Sequence, residues 1–250
     1  MPLDTETLGL AIAATAAALW AVSSMIWGLA GATFKPVVLN CLKGLAACVL
    51  FAITLLVMGE PVVQPIFDVP GWQLLLLGLS GIVGIAIGDT FYFGSLNRIG
   101  PRQASLLSLL AAPMVAVLGW WLLEETLSPT ALTGITLTVI GVAWVVLEKK
   151  RPPRAGREVA KGVAGHATTK LAIAVGVLFG VLAAVGQAVG AIMNRAALVD
   201  GEASDLWTAL WRVGLATVVL MPVMAVVGVK RPGGSPMRTR PQTLPAIFGE

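Results

Sequence analysis

Val37-Val38-Leu39-Asn40-Cys41-Leu42-Lys43-Gly44-Leu45-Ala46-Ala47-Cys48-Val49-Leu50-Phe51-Ala52-Ile53-Thr54-Leu55-Leu56-Val57-Met58 carries one formal charge, Lys43, in an otherwise apolar run. A helix rises 1.5 Å per residue, so about 20 residues cross the ~30 Å hydrocarbon core of a bilayer. The run is long enough to span. It lacks the alternation of apolar and polar residues that a membrane barrel strand shows. In lipid the backbone can bond only to itself, so the conformation expected is helix. Working outward, six more stretches of this kind occur at 8–30, 72–96, 103–123, 130–147, 171–193 and 206–229. The fold class expected is an all-α integral membrane protein, a polytopic helical bundle of seven spans.

Composition points the same way. Of 250 residues, 57% are hydrophobic and 12% charged, where a soluble domain carries about a quarter charged. The mean hydropathy is +0.87. The one histidine, His166, lies in a polar stretch away from every apolar run. No intramembrane histidine metal site or Ser–His dyad can therefore be assembled, and no catalytic residue, metal or cofactor is expected. Cys41 and Cys48 share one run, too far apart along a helix to bridge, and read as core thiols. The net charge of +4 does not imply nucleic acid, because the excess base falls mostly in short loops between apolar runs. Asp4 and Glu6 precede the first span, which has no basic n-region and is too long for a signal-peptide core, so it is expected to remain as an anchor. Pro113 and Pro222 lie inside spans four and seven and mark candidate bends.

Assigning loops alternately to two faces separates the charges. Lys35, Arg98, Arg102, the bases from Lys149 to Lys170, and Lys230 onward fall on one face. Glu60, Asp68, Glu124, Glu125, Asp200, Glu202 and Asp205 fall on the other, with Arg195 its only base. The positive-inside rule makes the first face cytoplasmic and puts the N-terminus outside.

A basic, Pro- and Gly-containing linker over 149–170 divides five spans (8–148) from two (171–250). The chain beyond this linker echoes its own beginning. Leu10-Ala11-Ile12-Ala13 returns as Leu171-Ala172-Ile173-Ala174, and Lys43-Gly44-Leu45-Ala46 as Arg212-Val213-Gly214-Leu215-Ala216. A unit of five spans re-enters the membrane inverted, as in many transporters. The second unit is expected to be incomplete, with a third span beginning near Leu244-Pro245-Ala246-Ile247-Phe248.

The run Gly88-Asp89-Thr90-Phe91-Tyr92-Phe93-Gly94-Ser95-Leu96-Asn97-Arg98-Ile99-Gly100-Pro101, then Ala104-Ser105-Leu106-Leu107, Ala112-Pro113-Met114 and Trp121-Leu122-Leu123-Glu124-Glu125-Thr126-Leu127-Ser128, resembles the EamA domain of the drug/metabolite transporter superfamily. Gly134 and Gly141 fit the same pattern. The resemblance covers about 8–148 well and 171–250 in part. It implies a ten-helix, two-repeat carrier for small organic solutes, in the inner membrane, with the N-terminus inside. The charge partition above departs from that last point, and the span count departs from ten.

Charges inside spans are costly and mark candidate sites. Lys43 and Asp89 each lie about eight residues from the cytoplasmic end of their helices, roughly 12 Å deep, and are expected to pair. That pair serves either helix packing or solute and ion coupling. Arg212, at similar depth from the opposite face, is the expected counterpart of Lys43, with an acidic partner beyond the seven spans. Trp20, near mid-span, and Tyr92 are candidate solute walls, alongside Trp27, Trp207 and Trp211. Gln187 and Asn194 can bond solute or a neighbouring helix. The four-residue spacings Gly84–Gly88, Gly176–Gly180 and Gly186–Gly190 predict close helix crossings.

Two functions compete. One is a secondary transporter, exporting small metabolites or drugs by alternating access. The other is a non-transporting scaffold or inactive fragment of such a carrier. The partners expected are the bilayer and a small-molecule solute, with homo- or hetero-oligomerisation left open.

Overall fold

The computed structural model describes residues 5–63, 65–147, 170–198 and 204–229. Among these lie seven helices long and apolar enough to cross a membrane. They are α1 (Thr5–Ala30), α2 (Pro36–Met58), α3 (Gly71–Ile99), α4 (Pro101–Leu122), α5 (Pro129–Leu147), α6 (Lys170–Leu198) and α7 (Asp205–Val227). A single helical turn, Pro65–Asp68, precedes α3, and no strand occurs among the described residues. The molecule is an all-α polytopic membrane protein. Most of the basic linker, Asp200 and Glu202, the bases from Lys230 onward and the expected span start at Leu244–Phe248 lie outside the described residues.

Local chemistry sets the helix ends. Pro36 occupies the first turn of α2, where its missing N–H costs nothing. Gly100 alone separates α3 from α4. Its φ of 89° suits glycine best, and Pro101 then opens α4. Ser204 caps α7, accepting from Trp207 N at 3.3 Å.

The two prolines behave differently. Pro113 has no N–H for the Leu109 carbonyl, and α4 is correspondingly broken into Pro101–Ser108 and Ala111–Leu122. At the join, Leu109 N and Leu110 N bond carbonyls three residues back, at 3.2 and 3.1 Å. Pro222 sits within a helix that continues to Val227.

The sequence reading does not foresee a π-helical stretch inside α3, Ile82–Asp89. Its wider turns lie just before the most enclosed part of α3, Thr90–Ile99. α6 packs along α3 and α4, while α7 packs along α2 and α3. α1 packs mainly on α3 and the first part of α4, and α5 rests on α4. α3 and α6 are thus the most buried spans and α1 and α5 the least. One core cluster gathers Leu39, Tyr92, Phe93, Leu96, Leu107 and Ala183, and a second gathers Leu55, Leu77, Ala197 and Trp207.

The α3–α6 crossing depends on residues without side chains. A Cβ on Gly190 would lie 2.7 Å from Gly84 Cα and 2.8 Å from the Ser80 carbonyl oxygen. One on Gly186 would lie 3.1 Å from Gly88 Cα. Farther along, Gly176 faces Ile99, and Gly180 faces Leu107 and Ser95. At Gly84 with Gly190 and Gly88 with Gly186 backbone meets backbone, the arrangement that small residues permit in lipid, while Gly176 and Gly180 make room for neighbouring side chains.

Candidate functional site

Asp89 ends the π-helical stretch and is buried, with 7% of its surface exposed. Two helices supply its partners. Lys43 of α2 forms an ion pair with its Oδ2, and Gln187 of α6 donates from Nε2 to Oδ1 at 3.0 Å. Both carboxylate oxygens are therefore bonded, which offsets much of the cost of holding a charge away from water. The Lys43 ammonium also lies 6.0 Å from the centre of the Phe93 ring, at the outer limit for a cation–π contact.

Beside the pair is a cavity of about 270 Å³ between α1, α2 and α3. Trp20, Trp27, Tyr92 and Phe93 form much of its wall, and Lys43 and Asp89 supply its charge. Because a helix turns every 3.6 residues, Asp89, Tyr92 and Phe93 project on one side of α3. Trp20 and Trp27 of α1 lie across from them. Trp20 meets Tyr92 with ring centres 5.7 Å apart at 41°, and Trp27 meets Phe93 at 5.7 Å and 71°. The Tyr92 hydroxyl shares a hydrogen bond with Ser105 of α4 at 3.1 Å. Five helices, α1 to α4 and α6, thus position these side chains.

The remaining candidates separate from this cluster. Arg212 of α7 donates from Nε to Ser80 Oγ at 2.8 Å. It forms no ion pair with an acid among the described residues. Asn194 keeps a buried Oδ1 without a hydrogen-bond partner, two turns along α6 from Gln187. Trp207 and Trp211 stack at 5.8 Å, and their ring N–H groups donate to Val62 O at 2.9 Å and Leu74 O at 3.1 Å. These bonds fasten α7 to α3 and to the segment that follows α2, away from the cavity.

Asn40 is the residue that sequence reasoning missed. It is fully buried on α2, one turn before Lys43, and its Nδ2 donates to Ile85 O at 2.8 Å, Ala86 O at 3.2 Å and Thr90 Oγ1 at 3.0 Å. It was detectable as a polar residue in an apolar span on the same helix face as Lys43. Phe93 and Ser105 gave no comparable signal.

Polar contacts also join the helix ends. Lys35, before α2, bonds from Nζ to the Val227 carbonyl at the end of α7, where cations favour the helix dipole. At the opposite ends of these helices, the Ser204 hydroxyl bonds Glu60. Arg195, late in α6, pairs with Glu125 beyond α4 at 2.9 Å.

Residues 7–147 match the EamA-like transporter family. Protein LicB of Haemophilus influenzae is 30% identical over 135 residues, covering 51% of this chain and 45% of LicB. The match therefore spans less than half the length of that relative. No solved structure matches the chain.

Proposed function

Because this chain belongs to the EamA-like transporter family, whose members are membrane transporters of the drug/metabolite type, we propose that it carries a small organic solute across the membrane, with the cavity beside Lys43 and Asp89 as its solute site. The observation that carries this reading is the shared bonding of Asp89, through Lys43 of α2 and Gln187 of α6. A polar cluster inside lipid is expensive. Here it borders a cavity walled by aromatic side chains, the combination of apolar walls and few fixed polar groups that small-molecule sites share.

Alternating access would arise from two units meeting at this cluster. In this proposal 8–148 is one five-helix unit and α6 and α7 begin a second, inverted one. Support comes from the packing of α2 against α7, the second helix of each unit. At that contact Gly44 of α2 lies against Thr217 of α7. Gln187 then couples the units directly, since it reaches from the second to the acid of the first. Moving one unit against the other would have to break or carry that bond.

The test is solute movement by the full chain in proteoliposomes, measured in both directions against a library of small organic solutes. The expected result is movement of at least one solute class, reduced at least tenfold by Gln187→Ala without loss of folded protein. Folded, inserted protein that moves none of them would overturn this reading in favour of a scaffold.

A further inference from the structure

We propose that the cavity takes an organic carboxylate, an anionic group on an aromatic or bulky apolar body, with Lys43 as its anchor. This inference rests on the reading of the cavity as the solute site and adds the chemical class of the solute.

Access and bonding single out Lys43, rather than Asp89, as the group that meets a ligand. An ammonium has three N–H donors and no acceptor. Asp89 Oδ2 is the hydrogen-bond partner of Lys43, which leaves the ammonium with capacity to spare at the cavity wall. Asp89 keeps lone pairs of its own, but its second oxygen is held by Gln187 and it is the more enclosed partner. Lys43 has 27% of its side chain exposed against 11% for Asp89. The Tyr92 hydroxyl is engaged with Ser105, and the two serine hydroxyls lining the cavity spend their hydrogens on their own helix. Ser23 donates to Trp20 O at 3.0 Å and Ser24 to Ala21 O at 2.8 Å. What the cavity presents most openly to a ligand is therefore the spare N–H of the Lys43 ammonium, and its complement is an acceptor with negative charge.

A cationic solute fits this arrangement less well. The aromatic faces would attract it, but it would sit beside the Lys43 ammonium, and the one nearby carboxylate is paired with that lysine and the less exposed of the two. The aromatic walls serve the rest of an anionic solute instead. Trp20 and Tyr92 form an apolar surface against which a ring or branched chain can lie. The volume of about 270 Å³ lies near the lower end of small-ligand clefts, roughly 300–1,000 Å³, so the solute is small.

Three probes share nearly one body and differ in charge: cinnamate, the neutral cinnamyl alcohol and the cationic benzyltrimethylammonium. Binding to the purified full chain is read by calorimetry and thermal shift. Cinnamate should bind more tightly than both others. Lys43→Met should weaken it at least about tenfold, the scale of a charge-assisted hydrogen bond, while Lys43→Arg retains most of it. Asp89→Asn provides a variant of opposite sign. It removes the competitor for Lys43, so cinnamate should bind at least as well as to the unchanged protein, whereas a cation site would lose its counter-charge. If Lys43→Met fails to fold, the charge-balanced Lys43→Met/Asp89→Asn protein takes its place and should also lose cinnamate. Preference for benzyltrimethylammonium, abolished by Asp89→Asn, would overturn the carboxylate assignment and leave the solute site standing. If none of the three binds and the transport library finds no solute either, both readings fall.

Discussion

Asn40 of α2 reaches into the π-helical stretch of α3, its Nδ2 lying 2.8 Å from the Ile85 carbonyl oxygen. The widened turns of a π-helix rarely persist without outside support and recur at functional sites. Here a fully buried amide from the neighbouring span supplies it, bonding Ile85, Ala86 and Thr90 together. The stretch ends at Asp89, so the conformation that Asn40 supports also sets where that carboxylate stands. Asn40→Leu, similar in shape but without the amide, should lower stability by about 1–3 kcal/mol, the range for buried groups left unbonded. A thermal melt in detergent reads the loss. Transport should fall by more than that loss explains, because Asp89 would shift relative to Lys43 and Gln187. A variant as stable and active as the parent would show that the π-helical turns hold themselves.

The Lys43–Asp89 pair makes a separate prediction about coupling. Breaking a buried ion pair from one side costs about 3–5 kcal/mol, because the other charge is left unpaired. Lys43 keeps 27% of its side chain exposed, so single changes here should fall toward or below the lower figure. Lys43→Met and Asp89→Asn should each destabilise, and the double change should recover much of the loss. Simple addition of the two effects in thermal melts would mean that the residues are uncoupled. A folded double variant that still transports would assign the pair to packing alone.

How far the sequence could be read depends on the kind of interaction involved. Spans were legible because crossing lipid demands long apolar runs, and the seven helices fall where the runs predicted them. Contact between Lys43 and Asp89 was legible as well, since two charges of opposite sign at similar depth have few other partners. Arg212 shows where such reasoning stops. Depth made it the counterpart of Lys43 but did not foresee its bond to Ser80, because hydropathy carries no azimuth. The π-helical stretch was equally hidden. Nothing in Ile82–Asp89 distinguishes it from an ordinary apolar helix, and the widening is visible only together with Asn40 across the interface. The cavity was invisible for the same reason, being a gap between three helices.

Helix packing gives a test that needs no solute. Gly190→Ala places a methyl group 2.7 Å from Gly84 Cα, against backbone that cannot rotate aside. α6 would have to lift from α3, at a cost of about 1–3 kcal/mol for overpacking. Gly134→Ala on α5 is the control, because nothing lies within 4 Å of the added carbon. That change should be neutral or gain up to about 1 kcal/mol from helix propensity. Thermal melts of the two variants should therefore move apart. Equal shifts would mean that the α3–α6 crossing is looser than these contacts require.

Sidedness is testable from the ends of the bundle. Glu60 and Ser204 meet at one end of the α2–α7 pair, and Lys35 meets Val227 at the other. The charge partition makes the Lys35 end cytoplasmic. In a Cys41→Ala/Cys48→Ala background, Val63→Cys, an exposed position three residues after Glu60, should react with a membrane-impermeant thiol reagent in intact cells. A cysteine placed between residues 151 and 165 should react only after the membrane is permeabilised. The reverse pattern would place the N-terminus inside, as the family resemblance implies. The loop bases would then lie on the outer face, and some force other than the positive-inside rule would have to orient the chain. Adding two lysines beside Glu60 separates these cases. If charge sets the orientation, labelling at Val63→Cys should fall as part of the population inverts, and an unchanged pattern would show that packing of the helices decides it.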